Sequence, residues 1–214
     1  MYLLVCRIDL ELEIGARASA AKSARRLEQA SSGWLRSDYV DLPSLVTRAL
    51  YLSGAIDRER RNERRTLEVP RLAARGGYFS SAGLQWYETY AQTTVYEVDA
   101  TEAIKRLPER QPTIEAVYRD IGVDEEIGRN YLLAGHYSEA VVSLRRATKS
   151  CNYRKSIHHI QAYRYLGDAL SGVDRRGACD AYAHVIEHWG HDPALSRCLA
   201  CMSIRSISHL VAFD

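Results

Sequence analysis

His184, His188 and His191 stand at i, i+4 and i+7, near one face of a helix, and Cys198-Leu199-Ala200-Cys201 comes shortly after. Imidazoles and thiolates at such spacings can hold zinc. A structural zinc site, however, brings two tight ligand pairs, and Gly190 breaks a helix before His191. We read His184 and His188 as residues of the exposed face of one helix and expect neither metal nor cofactor. A lone CxxC without a thioredoxin-like strand context is weak as a redox motif. Cys151 and Cys179 read as small buried apolar groups, because a nucleophilic cysteine needs a fixed histidine partner and His158-His159 offers no evident geometry. With five cysteines in 214 residues, an odd and sparse set, a disulfide-built secreted scaffold is disfavoured.

Arg58, Arg60, Arg61, Arg64 and Arg65 form the densest basic run, interleaved with Asp57, Glu59, Glu63 and Glu68 at helical spacing. This pattern predicts a solvated helix with internal ion pairs, Arg61 facing water. A nucleic-acid stripe would lack those acids and carry stacking aromatics. Lys plus Arg is 29 and Asp plus Glu is 27, a formal charge of +2, so charge gives no reason to expect nucleic acid as a partner. The longest clean apolar run, Tyr2 to Cys6, is far short of the roughly 20 residues of a membrane helix, so no membrane insertion is expected. Arg7, Asp9, Glu11 and Glu13 put charge at nearly every second position directly after that run, unlike a secretory signal. The expected location is the cytoplasm. Trp34, Trp86 and Trp189 read as packing groups between repeats.

The elements that must position these residues read as helices. All five prolines (Pro43, Pro70, Pro108, Pro112, Pro193) fall between periodic apolar segments, where helical proteins tolerate them. Tyr131 to Leu144 carries apolar residues at helical spacing on both sides of Gly135, a natural helix stop. The pattern recurs: Ile8 to Ile14, Gly15, then Ala16 to Glu28; Leu45 to Leu52, Gly54, then Ile56 to Leu67; Tyr163 to Leu170, a turn around Gly172-Val173-Asp174, then Ala178 to His188. A degenerate unit runs from Gln85 to Ala91, through a turn near Tyr96 to Asp99, to Ala100–Leu107. Gly15 to Gly54 is 39 residues and Gly54 to Gly135 is 81, while Ala103 to Ala140 is 37 and Ala140 to Ala178 is 38. Self-similarity at about 34 to 40 residues marks a helical-hairpin solenoid. The expected fold is all-α: a right-handed superhelix of about five antiparallel helix-turn-helix hairpins over residues 1–192. Its units are roughly 1–33, 39–69, 80–108, 121–154 and 160–190, and a divergent segment, 193–214, supplies a capping helix.

Gly128 and Gly167 are small residues on first helices, followed one turn later by Tyr131 and Leu170. Ala140 and Ala178 are small residues on second helices, followed by Leu144 and Tyr182. Small residues let the helices of a hairpin approach, and the large ones fill the space around them. These residues resemble the tetratricopeptide repeat, best in Ile127-Gly128 … Tyr131 … Gly135 … Tyr137 … Ala140 … Leu144 … Ala147. The second match is Tyr163 … Leu166-Gly167 … Leu170 … Ala178 … Tyr182. There Gly167 to Ala178 is 11 residues, whereas Gly128 to Ala140 is 12, which predicts an inter-helix turn one residue shorter. A narrower resemblance covers about residues 80 to 192. It rests on Trp86 to Ala91 with Ala103 and Leu107-Pro108, on Leu144 to Cys151, and on Tyr165 to Leu170 with Gly177 to Tyr182 and Val185 to Gly190. These stretches look like the repeat region C-terminal to the catalytic domain in large bacterial protein kinases of the eukaryotic-like Ser/Thr type, whose cysteines Cys151 and Cys179 match. No G-x-G-x-x-G loop, V-A-I-K lysine, H-R-D loop or D-F-G is present.

The resemblance implies a protein–protein interaction scaffold or sensor module, not an enzyme, with a protein or peptide partner on a face lined by first helices. Its groove-facing positions are Gln85, Glu88, Gln92, Glu125, Arg129, Gln161, Arg164 and Asp168. Their mixed charge argues against a clamp for an acidic C-terminus. The alternative is a fragment of a bacterial Ser/Thr protein kinase lacking its catalytic domain. Tyr2, Leu3, Leu4 and Val5 at one end, and Ile204, Ile207, Leu210, Val211 and Phe213 at the other, are apolar where a solenoid needs a polar cap. Self-association or a fused N-terminal domain is therefore expected.

Overall fold

Gly15, Gly54 and Gly135 adopt left-handed backbones, with φ of +74°, +74° and +77°, and each closes the first helix of a hairpin in the same way. The glycine N–H donates three residues back (to Leu12, Tyr51 and Leu132), and the next N–H donates five residues back (to Glu11, Leu50 and Tyr131). This paired bond satisfies the last carbonyls of a helix and needs the left-handed residue that glycine supplies. The computed structural model describes residues 2–31, 42–75, 82–107, 123–149 and 156–189. Their regular structure is wholly helical: α1 (Tyr2–Glu13), α2 (Arg17–Ser31), α3 (Leu42–Leu52), α4 (Arg58–Arg75), α5 (Ala82–Trp86), α6 (Glu97–Lys105), α7 (Val123–Leu133), α8 (Tyr137–Ala147), α9 (Ser156–Leu170) and α10 (Arg175–Trp189). A π-helical turn, Tyr87–Ala91, continues α5. The helices pair as hairpins, α1/α2 through α9/α10. First helices also meet one another, α1 on α3, the π turn after α5 on α7, and α7 on α9, while α2 packs on α3, α6 on α7 and α8 on α9.

The turn between α9 and α10 is built differently. It spans 171–174 where the α7/α8 turn spans 134–136, so the expected shortening is absent from the turn. The missing residue comes out of the helices, because α9 ends three residues after Gly167 while α7 runs five beyond Gly128. Gly172 is not left-handed; Asp174 accepts a bond from the Gly177 N–H at 2.9 Å and starts α10, an N-cap that Asp57 repeats for Arg60 at 2.8 Å.

Core packing follows the small-residue logic. A Cβ on Gly128 would lie 2.5 Å from Leu144 Cγ, and one on Gly167 would lie 2.5 Å from the Tyr182 ring. Ala103, Ala140 and Ala178 are buried. Tyr131 is half-buried and touches two apolar clusters, one around Trp86, Tyr87, Val123 and Ile127, the other around Ala140, Leu144, Tyr165 and Leu166. It thereby joins consecutive hairpins. A third cluster joins α1, α2 and α3 through Ile8, Ala20, Ala24, Leu27, Leu45 and Ala49. Trp86 is buried and donates its indole N–H to the Ala103 carbonyl at 2.7 Å, inside its own hairpin.

Several expectations are corrected. Tyr137 is 52% exposed: it is the first residue of α8, just past the turn, and turns much of its ring to water instead of filling the core. Cys179 is exposed, one position round the helix from buried Ala178. Pro70 lies inside α4, which therefore runs beyond the expected Leu67, and α6 starts at Glu97, inside the stretch read as a turn. The largest correction is the arginine run. Arg61 is fully buried and Arg65 nearly so; Arg61 pairs with buried Asp99 of α6 at 2.5 Å and lies over the Tyr51 ring at 4.6 Å. Arg65 donates to Thr93 Oγ1 at 2.7 Å and lies over the Tyr90 ring; burial and the Arg61 charge push its pKa down to about 10. One side of α4 is thus a hairpin-to-hairpin contact, and only the other, with Arg60 and Glu63 paired, is a solvated face. Trp34, Cys151, His191, Cys198, Cys201 and the segment 193–214 lie outside the described residues, and of Trp189 only the backbone is described.

Candidate functional site

The candidate site is a polar network on the shared face of the first helices. Arg48 is the only charged residue of α3. Its guanidinium donates to Glu126 Oε1 of α7 at 3.0 Å. The other Glu126 oxygen accepts from Arg129 Nε at 2.8 Å. From α1, Glu13 reaches α9, accepting from Gln161 at 2.6 Å and Arg164 at 2.7 Å through separate oxygens. Glu125 meets His158 Nδ1 at 3.0 Å, and Ser44 of α3 donates to Glu88 of the π turn at 2.7 Å.

The π turn has a local cause and a distant partner. Thr89, Thr93 and Thr94 turn their hydroxyls back onto the carbonyls of Gln85, Thr89 and Tyr90, and threonine back-bonding bends helices. The Gln92 N–H then donates to Tyr87 O at 3.0 Å, a five-residue span. The Ala91 and Thr94 carbonyls face α7, where Arg129 donates to both at 2.9 Å and Asn130 donates to Ala91 at 3.2 Å. A guanidinium at a helix C-terminus meets both the carbonyls and the negative end of the helix dipole.

Of the expected positions, Glu88, Gln92, Glu125, Arg129 and Gln161 are buried, and Gln85, Arg164 and Asp168 are half-buried. Glu88, Glu125, Arg129, Gln161 and Arg164 join the network. Asp168 instead accepts from Tyr182 Oη at 2.6 Å, which holds the ring over Gly167. Glu13, Arg48, Glu126 and His158 were missed. A lone arginine in the otherwise uncharged helix α3 was the one readable signal among them.

Electrostatics set the protonation of this face. Burial opposes the Glu126 charge, but Arg129 and Arg48 outweigh it and hold the carboxyl below its ordinary range. Burial and the Glu126 charge push Glu125 up, against the pull of His158 and Arg129. Burial works against the Arg48 charge too, and Glu126, Tyr165, Glu125 and Glu13 raise it above its ordinary value. Burial raises Asp168, opposed by Tyr182 and Arg164.

Comparison with family models, with curated proteins and with solved structures finds no match to this chain. No described helix is long and apolar enough to cross a membrane.

Proposed function

We propose that the chain is a scaffold of tetratricopeptide-like hairpins, stacked as a right-handed superhelix, that binds a protein or peptide partner through the face of its first helices. The observation that carries this reading is the network itself. Charged side chains from α1, α3, α7 and α9 are withdrawn from water and paired with one another. Stability alone gives no reason for such pairs, since apolar residues of similar volume serve as well or better. A face that exchanges internal pairs for pairs with a ligand does give one. Five carboxylates (Glu13, Glu88, Glu125, Glu126, Asp168) stand there against three guanidiniums (Arg48, Arg129, Arg164). The favoured ligand is a segment bearing Lys or Arg, consistent with a face unsuited to acidic C-termini.

A panel of short peptides of graded charge, measured by fluorescence anisotropy against the intact chain, tests this. Basic peptides bind, binding weakens with salt, and Asp168→Lys weakens it further. Equal binding of acidic and basic peptides, or indifference to Asp168→Lys, contradicts it. The likeness to kinase-linked repeat regions supports a signalling context and the alternative of a kinase fragment. An in-frame kinase domain directly upstream of Met1 in the genomic sequence is the test of that alternative.

A further inference from the structure

The last described hairpin carries an imidazole cluster that the first-helix face does not use. His184, half-buried, and Glu187 and His188, exposed, each bring one ligand-type atom within 4.8 Å of the others. They sit at i, i+3 and i+4 of α10, so one helix face presents all three. Histidines at i and i+4 are a recurrent zinc-binding pair.

The cluster is organised. His188 Nδ1 lies 2.9 Å from the His184 carbonyl oxygen. A carbonyl only accepts, so Nδ1 holds the proton and Nε2 keeps its lone pair. Metal-bound histidines are held in the same way, by donating their other ring N–H to a carbonyl or carboxylate. The His184 ring is fixed between neighbours, its centroid 3.8 Å from Tyr163 of α9 and 4.2 Å from His188. His159 of α9 lies 6.2 Å away, stacked edge-on against Tyr163. Its Nδ1 is buried without a hydrogen-bond partner among the described residues.

Two imidazoles and a carboxylate suit zinc and related late divalent ions, whereas calcium and magnesium take all-oxygen sets. Three protein ligands leave coordination positions open to water. We propose that His184, Glu187 and His188 form a surface site for a zinc-class divalent cation, independent of the first-helix face. His191 and the Cys198–Cys201 pair are not needed for it.

The metal-free full-length chain, titrated with zinc chloride by isothermal calorimetry, tests the site. One zinc ion binds per chain, and magnesium chloride gives no heat above dilution. His188→Ala weakens zinc binding at least about tenfold, as loss of a direct ligand must when loss of an outer partner already costs that much. His188 is exposed, so the far-UV circular dichroism and melting temperature of the metal-free variant match the parent. Added zinc raises the melting temperature of the parent and not of His188→Ala. Cys198→Ser/Cys201→Ser binds as the parent does. Absence of zinc binding in the parent overturns the proposal. So does equal affinity in His188→Ala, or loss in the cysteine variant with retention in His188→Ala.

Discussion

Gly128→Ala separates helix propensity from close approach, because the two act in opposite directions. Alanine gains up to about 1 kcal/mol over glycine inside a helix. Against that, the new Cβ would sit 2.5 Å from Leu144 Cγ, 2.7 Å from Cδ2 and 3.2 Å from the Leu144 backbone nitrogen. Leu144 is fully buried, so neither its rotamer nor its helix moves without disturbing α9. Overpacking of this kind costs about 1–3 kcal/mol, and the expected net change is a loss of about 1–2 kcal/mol. Leu144→Ala alone costs about 2–5 kcal/mol through the cavity it leaves. In the double variant the added methyl enters the vacated space, so its loss is smaller than the sum of the two single losses, with a coupling of at least about 1 kcal/mol. Urea titrations followed by far-UV circular dichroism on the four proteins measure it. Gly172→Ala is the control: no atom lies within 4 Å of its Cβ and its φ is not left-handed, so it is neutral or stabilising by up to about 1 kcal/mol. A Gly128→Ala protein more stable than the parent, or a cycle with no coupling, refutes the close-approach account of the hairpins.

Arg61→Ala takes from buried Asp99 its nearest cationic partner and leaves only half-exposed Arg58 at 3.7 Å, which costs about 3 kcal/mol, whereas Arg60→Ala on the solvated side of α4 stays within about 0.5 kcal/mol; thermal melts distinguish them, and equal effects contradict the two-sided reading of α4. Glu126 has a lowered folded pKa, so its contribution is present above the ordinary value of 4.5 and lost as pH falls through the folded value. Glu126→Gln therefore lowers the melting temperature at neutral pH and flattens its fall as the pH drops below about 4.5, and an unchanged acid limb argues against the pairing. Arg164→Ala removes one of the two bonds from α9 to Glu13, leaving that from Gln161, and speeds amide hydrogen exchange at the C-terminal end of α1, while exchange in α6 is unchanged.

Local rules made the hairpins legible, and pairing between distant elements hid the rest. Gly15, Gly54 and Gly135 announce helix ends because a left-handed residue is needed where they stand. Gly128 and Gly167 were readable as close-approach residues from their place on the first helices of the repeats, but not the contact of each with Leu144 and Tyr182. Arg61 was not, since an arginine beside Arg60 and Glu63 looks solvated until Asp99, 38 residues on, is known to lie against it. Glu13 and Arg164 meet across 151 positions, and no local pattern reports such a pair. The exposed Cys179, next to buried Ala178, shows the limit of register: one position round a helix moves a side chain from core to water. Pro70 ends no helix, because α4 continues past it to Arg75.

The most direct test of the scaffold reading is a map of where a basic peptide lands. Amide resonances of the isotopically labelled chain, followed through a titration with a Lys/Arg-rich peptide, shift on the first helices, at Ser44–Arg48, Gln85–Gln92, Glu125–Arg129 and Gln161–Asp168. The outer sides of α8 and α10, around Val142 and Ile186, stay unchanged. Shifts confined to the second helices, or none at saturating peptide, contradict a ligand face built from the first helices.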